Sequence, residues 1–246
     1  MSVHIAIPVL IDSPERKRNM KNLLAHLAGS HVGLVTVVEQ FCDEPAVANE
    51  DADYRSLYKP NDYFYRAELL NLVFRECKDD VIVIHDADAV LKPESVEWAL
   101  KEVGEGRLDL AIPHNQKVKD ADPTGYAGGD LYVFLSGRAK NWLCSNSCGL
   151  CQVMSRKAWR QAGMENENIV SWGSDDRERL ARWKRLGLRV GFCSAGDGLH
   201  QRHPDSKFSR TQHGRFNQNR REYMLTLRQG SEELRQRIAG WPWTKL

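Results

Sequence analysis

Val81-Ile82-Val83-Ile84-His85-Asp86-Ala87-Asp88-Ala89-Val90-Leu91 is the stretch whose reading decides the fold. Its apolar, β-branched start, bounded by Lys78-Asp79-Asp80, predicts a strand buried on both faces, as in a parallel sheet. The strand runs into His85 and two carboxylates spaced i, i+2. In extended chain that spacing puts Asp86 and Asp88 on one side. Two adjacent anions at the end of a central strand repel each other unless a cation lies between them. Hard ions such as Mn²⁺ or Mg²⁺ take carboxylate oxygens and hold substrate phosphates on their remaining positions. The C-terminal ends of parallel strands are also where open α/β sheets bind ligands. An aspartate pair that merely turns the chain or caps the next helix would read the same, so the other motifs decide.

Around this strand the pattern is strand–helix–strand–helix. Val3–Leu10 predicts a first strand, Ser13 an N-cap and Pro14 the first residue of a helix that stops near Gly29. Gly33–Glu39 predicts a second strand and 40–62 a polar loop. A helix is expected from about Tyr63 to Cys77, and another opens at Lys92-Pro93-Glu94-Ser95. Leu108–Pro113 reads as a strand, 115–130 as a loop, and Leu131–Leu135 and Gly149–Met154 as strands. Ser155 caps a short helix, Trp172–Asp176 opens a longer one that Gly187 stops, and Leu188–Cys193 is expected as the last strand. Ser231 begins a helix in the tail. The fold class is therefore α/β, a mainly parallel sheet with helices on both faces.

The 246 residues suit one domain, 1–246, with a basic segment from about 200 to 246 packing on it. No apolar run approaches the ~18 residues of a membrane span. The N-terminus lacks the basic region and cleavage site of a signal peptide, so a cytoplasmic location with reduced cysteines is expected. The net charge of +2 hides an asymmetry. Residues 1–176 carry 19 Lys and Arg against 27 Asp and Glu, a balance of −8, whereas 177–246 carry 16 against 6, a balance of +10. A basic final third suits a polyanion or a phosphorylated ligand, and equally a solvated face.

Further motifs carry chemistry. Asp175 and Asp176 fall in the first turn of a helix, where the dipole favours their charged forms. Trp172 and Gly173 just before them form a platform for a ring such as a sugar, with carboxylates to accept from its hydroxyls. His200 and His203, i, i+3 apart, are nitrogen ligands for a Mn²⁺-like ion once an Asp-x-Asp supplies the oxygens. Cys144, Cys148 and Cys151 have a spacing used for iron–sulfur clusters, or for structural zinc with Cys193, but buried thiols read the same way.

Four of these stretches, in order, resemble the catalytic domain of the β-1,4-galactosyltransferase family, metal-dependent enzymes of GT-A fold. Phe64-Tyr65-Arg66-Ala67-Glu68-Leu69-Leu70-Asn71 is similar to that family's Phe-Asn-Arg-Ala-Lys-Leu-Leu-Asn. Asp86-Ala87-Asp88 matches its Asp-Val-Asp, Trp172-Gly173-Ser174-Asp175-Asp176 its Trp-Gly-Gly-Glu-Asp, and His200-Gln201-Arg202-His203 its Met-x-Arg-His. Arg215-Phe216 recurs at the family's distance downstream.

The resemblance implies a nucleotide site of Pro8, Phe64, Arg66 and Asp86, with Phe64 stacking on uracil. It implies metal ligands Asp88, His200 and His203, the catalytic base Asp176, and an acceptor site at Trp172 and Asp175. The expected activity is inverting transfer of a hexose from a UDP-sugar, with Mn²⁺ or Mg²⁺ on the diphosphate. The acceptor would be a hydroxyl of a glycan, a protein or a small molecule, with a hydroxylated base in DNA as an alternative. Ser174, Asp175 and Arg177 depart from the family's Gly, Glu and third acid, which implies an altered acceptor site. The rival reading is a non-catalytic protein of the same fold that binds nucleic acid or glycan.

Overall fold

The computed structural model describes residues 1–29, 33–47, 52–61, 63–205 and 214–245. In chain order the elements are β1 (Val3–Val9), α1 (Pro14–Ala28), β2 (Leu34–Phe41), β3 (Asp53–Tyr58), α2 (Arg66–Glu76), β4 (Val81–His85), β5 (Ala89–Val90) and α3 (Pro93–Gly104). Then come β6 (Leu110–Ile112), β7 (Val118–Ala121), α4 (Leu131–Ser136), β8 (Asn141–Cys144), β9 (Cys151–Ser155) and α5 (Arg156–Gln161). The last elements are α6 (Asp175–Arg185), β10 (Val190–Phe192), β11 (Gly198–Gln201), α7 (Phe216–Arg228) and α8 (Ser231–Ala239).

Seven strands form the main sheet in the order β10-β6-β9-β4-β1-β2-β3. Every neighbouring pair is parallel except those made by β9, which runs against both β4 and β6. Because successive side chains on a strand face opposite ways, β4 divides its apolar set between two cores. Ile82 and Ile84 pack with Leu70, Phe74, Trp159 and Trp183 under α2, α5 and α6, while Val81 and Val83 pack with Met20, Leu23 and Val103 under α1 and α3. Leu234 and Ile238 of α8, with Trp241 and Trp243, close the first core. The sheet thus has helices on both faces.

The structure corrects several expectations. The expected loop 40–62 contains β3, which extends the sheet beside β2, although residues 48–51 and 62 lie outside the described set. The expected loop 115–130 contains β7, part of a second sheet ordered β5-β11-β7-β8 that was not foreseen. Leu131–Leu135 is helix α4 rather than a strand: Asp130 caps it by accepting from Val133 N at 3.0 Å, and Leu131 and Leu135 are buried four residues apart. β10 is not the last strand, because β11 follows and puts His200 on a strand rather than a loop. α2 begins at Arg66, which leaves Phe64 and Tyr65 in the segment before it. Helix α7 was not anticipated.

β11 matters most for the site. It pairs antiparallel with β5 (Leu199 with Val90, His200 with Ala89), and Gln201 N donates to Asp88 O at 2.7 Å. Buried Gln201 is locked to α1: its Nε2 donates to Asn19 O at 3.0 Å, and Asn19 Nδ2 donates back to Gln201 O at 2.9 Å. The strand carrying His200 is therefore fixed beside the turn carrying Asp88.

Candidate active site

β4 ends at His85, and the chain turns through Asp86–Ala89, where Ala89 N donates to Asp86 O at 3.1 Å. Asp86 and Asp88 thus lie in a turn, not in the extended chain expected, and their carboxylates take different partners. Asp86 Oδ1 accepts from Arg66 Nη2 at 2.7 Å. Asp88 Oδ2 lies 3.0 Å from His203 Nε2 and 3.7 Å from His200 Nε2.

These three side chains offer ligand atoms within 4.8 Å of one another. The second nitrogen of each imidazole faces an acceptor, His200 Nδ1 at Asp120 Oδ1 (3.1 Å) and His203 Nδ1 at Pro204 O (2.8 Å). Such outer partners hold the ring proton on Nδ1 and aim the Nε2 lone pair inward, as at metal-ligating histidines. In a neutral ring that leaves Nε2 lone pairs facing a carboxylate, an arrangement that a cation among them resolves. One carboxylate and two imidazoles suit a Mn²⁺-like ion, so the residues fit the group.

Without the ion a proton does this work. Burial opposes charge on His200, but Asp88 and Asp120 raise it to about 10. Burial would raise the Asp88 carboxyl, yet His200 and His203 hold it well below the usual carboxylate range.

Opposite the turn, Ser171, Gly173 and Ser174 all take positive φ (61°, 108° and 74°) and deliver the chain into α6. Non-glycine residues pay for that conformation with strain, which concentrates at functional sites. The tight turn is fixed from two sides. Ser171 exchanges bonds with Phe64, N to O at 2.7 Å and Phe64 N to Oγ at 2.9 Å. Trp172, half exposed, stacks on Phe216 with ring centroids 6.0 Å apart, and a Cβ on Gly173 would press that Phe216 ring.

Asp175 and Asp176 open α6, where the helix dipole favours them. Arg66 Nη1 donates to Asp175 Oδ2 at 2.8 Å and sits 3.7 Å from Asp176 Oδ1, so one guanidinium spans both sides of the site. Asp176 Oδ1 also accepts from Arg179 Nη1 at 2.8 Å. Arg179 is buried and is held in turn by Glu165 (Nε to Oε2, 2.8 Å) and by Gln152 Oε1 (2.7 Å).

Their titration diverges. Burial and the neighbouring Asp176 raise the Asp175 carboxyl against the pull of Arg66. Burial likewise lifts Asp86, to about 6. Burial acts on Asp176 too, but Arg66 and Arg179 overcome it and hold that carboxyl below its ordinary value.

All ten residues expected at the site line one open cleft of about 890 Å³: Pro8, Phe64, Arg66, Asp86, Asp88, Trp172, Asp175, Asp176, His200 and His203. The sequence reading missed Asp120, which orients His200, and the Glu165–Arg179 pair behind Asp176. Only the i, i+3 spacing of Asp176 and Arg179 on a helix could have signalled the latter. It also missed Gly149, whose Cβ position is filled by the Asp176 carboxylate.

The cysteines do not assemble. Among the described residues all six are free, and Cys144, Cys148, Cys151 and Cys193 form no ligand cluster. Burial pushes the Cys148 thiol up to about 12.

The basic residues that motivated a polyanionic acceptor are dispersed. Arg202 pairs with Asp120 at 2.7 Å, Arg215 lies over the Tyr63 ring, and Arg220 and Arg221 are exposed on α7. Lys207 and Arg210 lie outside the described residues. No helix is long and apolar enough to cross a membrane among the described residues.

Comparison with curated proteins gives no significant match. Solved structures that share the fold at low identity include the following three. A mutant of Drosophila β1,4-galactosyltransferase 7 in complex with manganese, UDP-Gal and xylobiose aligns with a TM-score of 0.55 at 16% identity, covering 94% of this chain and 81% of that one. S. aureus TarS in complex with UDP-GlcNAc aligns at 0.61 and 10% identity, covering 97% and 70%. The mannosyltransferase PcManGT of Pyrobaculum calidifontis, in complex with GDP-Man and Mn²⁺, aligns at 0.53 and 13%, covering 84% and 58%. The model of "Glycosyl transferase family 2" matches residues 29–163, a span that holds Phe64, Arg66 and the Asp86-Ala87-Asp88 turn. With that match over more than half its length, the chain belongs to glycosyl transferase family 2 and is a glycosyltransferase of GT-A fold.

Proposed function

We propose that the cleft transfers a hexose from a UDP-sugar to an acceptor hydroxyl, with inversion at the anomeric carbon. The observation that carries the reading is Arg66, whose guanidinium bridges Asp86 of the Asp-x-Asp turn and Asp175 at the start of α6. One rigid cation ties the donor side of the cleft to the acceptor side, which preorganises the reacting groups. Of the three similar structures described above, two hold a UDP-sugar and the third GDP-Man, and two contain manganese, which supports the choice of donor and ion.

Asp88, His200 and His203 would hold a divalent ion, whose chemistry when bound is to neutralise charge on the departing diphosphate. Phe64 and Pro8 line the nucleotide end of the cleft, where the Phe64 ring stacks on the base. Trp172, backed by Phe216, is the face on which an acceptor sugar or other ring rests, and Asp175 accepts from its hydroxyls.

Asp176 is the general base. Arg66 and Arg179 keep it ionised at neutral pH, so it accepts the acceptor proton as that oxygen attacks. A single base suffices for one inverting displacement, because the diphosphate leaves without needing a proton. The acceptor is a glycan, protein or small-molecule hydroxyl.

The test is Asp176→Asn, which keeps the shape and removes the base. We expect turnover to fall by about 10²–10⁴-fold with UDP affinity unchanged. Near-normal turnover in this variant would remove Asp176 from the base role.

A further inference from the structure

Among the described residues one other cluster brings three ligand-type atoms within 4.8 Å, and it lies at the far end of the sheet from the cleft. His4 is at the start of β1, while Cys77 and Asp79 lie in the connection between α2 and β4. The cleft lies at the C-terminal ends of these same parallel strands. His4 and Cys77 are buried, and the Asp79 side chain is 27% exposed.

We propose that His4 Nδ1, Cys77 Sγ and Asp79 Oδ2 form a second metal site, of the zinc class. Its first support is distance. His4 Nδ1 lies 3.5 Å from Asp79 Oδ2, and Cys77 Sγ lies 3.4 Å from the same oxygen. Zinc–ligand lengths of about 2.0–2.3 Å in a tetrahedron put neighbouring ligand atoms about 3.3–3.6 Å apart. The two separations to Asp79 are close to the edges of such a tetrahedron, and the His4 and Cys77 atoms lie within 4.8 Å of each other.

The second support is the tautomer of His4. Its Nε2 lies 2.8 Å from Thr36 Oγ1, and the Thr36 hydroxyl donates its one proton to Asp53 Oδ2 at 2.8 Å. An ionised carboxylate only accepts, so that proton is committed to Asp53 and Thr36 must accept from His4 Nε2–H. In the neutral ring this leaves the bare lone pair on Nδ1, aimed at a carboxylate oxygen already shared with the Cys77 thiol. Two electron-rich atoms and a thiol converge where a cation would satisfy all three.

The Thr36–Asp53 chain is then the outer support that orients a metal-bound imidazole. Arg156 Nε fixes the loop by donating to Asp79 O at 2.7 Å. Binding would release the thiol proton to solvent, and the exposed edge of Asp79 leaves the fourth position to water. The thiolate distinguishes this site from the Asp88, His200 and His203 set, which suits a harder ion.

The test uses the metal-stripped full chain titrated with Co²⁺, read by the near-ultraviolet charge-transfer absorption of a cobalt–thiolate bond. The cleft triad has no thiol and contributes nothing to this signal. We expect a saturable band that Zn²⁺ displaces, that is lost in Cys77→Ser and Asp79→Asn, and that persists in His203→Ala. Thr36→Val removes only the outer support and should weaken Co²⁺ affinity by about 10–100-fold. A wild-type chain with no band at saturating Co²⁺ would overturn the proposal. So would a band that survives in both Cys77→Ser and Asp79→Asn, whichever of them keeps the native circular dichroism.

Discussion

Substituting alanine for Gly149 displaces the proposed base without touching it chemically. Gly149 lies just before β9 and needs no positive φ, so its backbone accepts alanine. The added Cβ would fall inside contact distance of Asp176 Oδ2 and 3.2 Å from its Cγ. The carboxylate cannot swing away freely, because Arg179 holds Oδ1 at 2.8 Å and is itself clamped by Glu165 and Gln152. Restoring ordinary contact requires a retreat of about 1 Å, and a misplacement of that size lowers turnover by about 10²-fold, or about 2.7 kcal/mol of barrier.

Gly-to-Ala exchange at a compatible backbone tends to stabilise by about 0.4–1 kcal/mol through the unfolded state. The close contact with Asp176 works against that gain, so circular dichroism at the assay temperature is recorded beside turnover to separate a displaced base from unfolding. The assay is steady-state UDP release from a UDP-hexose at saturating donor, with UDP affinity followed by titration calorimetry. We expect kcat to drop while UDP affinity holds and the protein stays folded at the assay temperature. Gly149→Ala with wild-type turnover would refute the placement of Asp176 at the reacting oxygen.

Asp88→Ala or His203→Ala should abolish Mn²⁺-dependent UDP binding with the fold intact, and normal metal-dependent binding by Asp88→Ala would sink the ligand assignment. Phe64→Ala should weaken UDP binding by about 1–3 kcal/mol, the value of one stacked base; unchanged affinity in calorimetry would make Phe64 ordinary core. Apparent Mn²⁺ affinity should rise with pH between 6 and 8, about tenfold per unit for each proton displaced, because His200 holds its proton to about 10 without the ion. Its folded pKa exceeds the ordinary 6.5, so the metal-free protein gains stability from His200 fully below about pH 6.5 and loses it as pH climbs toward 10. A flat Mn²⁺ affinity across that window would contradict the protonated His200. Glu165→Ala removes the most buried partner of Arg179, leaves it Asp176 and Gln152, and should cost up to about 3–5 kcal/mol, read as a lower urea midpoint at unchanged slope; a shift below about 1 kcal/mol would show that Asp176 and Gln152 suffice to hold it.

Legibility from sequence followed the range of the interaction. β4 was readable because its side chains are apolar on both faces, and α1 because Ser13, Pro14 and Gly29 bracket it locally. Leu131-Tyr132-Val133-Phe134-Leu135 misled because β-favouring residues over one short turn cannot be told from a strand by period; the Asp130 cap and the 66% exposure of Val133 reveal the helix. β3 was hidden by polarity: it is an edge strand with no fully buried residue, so no apolar alternation marks it.

At the site, the candidate ligands were readable as types and spacings. Their convergence was not, because it depends on β11 pairing with β5 and on Gln201 locking to α1. Asp120 and Glu165 act across long stretches of chain and leave no local mark. The extended geometry assumed for Asp86 and Asp88 failed because Ala89 N bonds back to Asp86 O at 3.1 Å and turns the chain, and the two carboxylates take different partners, Arg66 and His203.

The most direct test of the account is UDP release by the purified wild-type chain from a panel of UDP-hexoses, with Mn²⁺, with EDTA, and with Mn²⁺ restored. The account predicts release from at least one donor that EDTA abolishes and Mn²⁺ recovers. Release that proceeds unchanged in EDTA, or no release and no metal-dependent UDP binding with any donor, would contradict it.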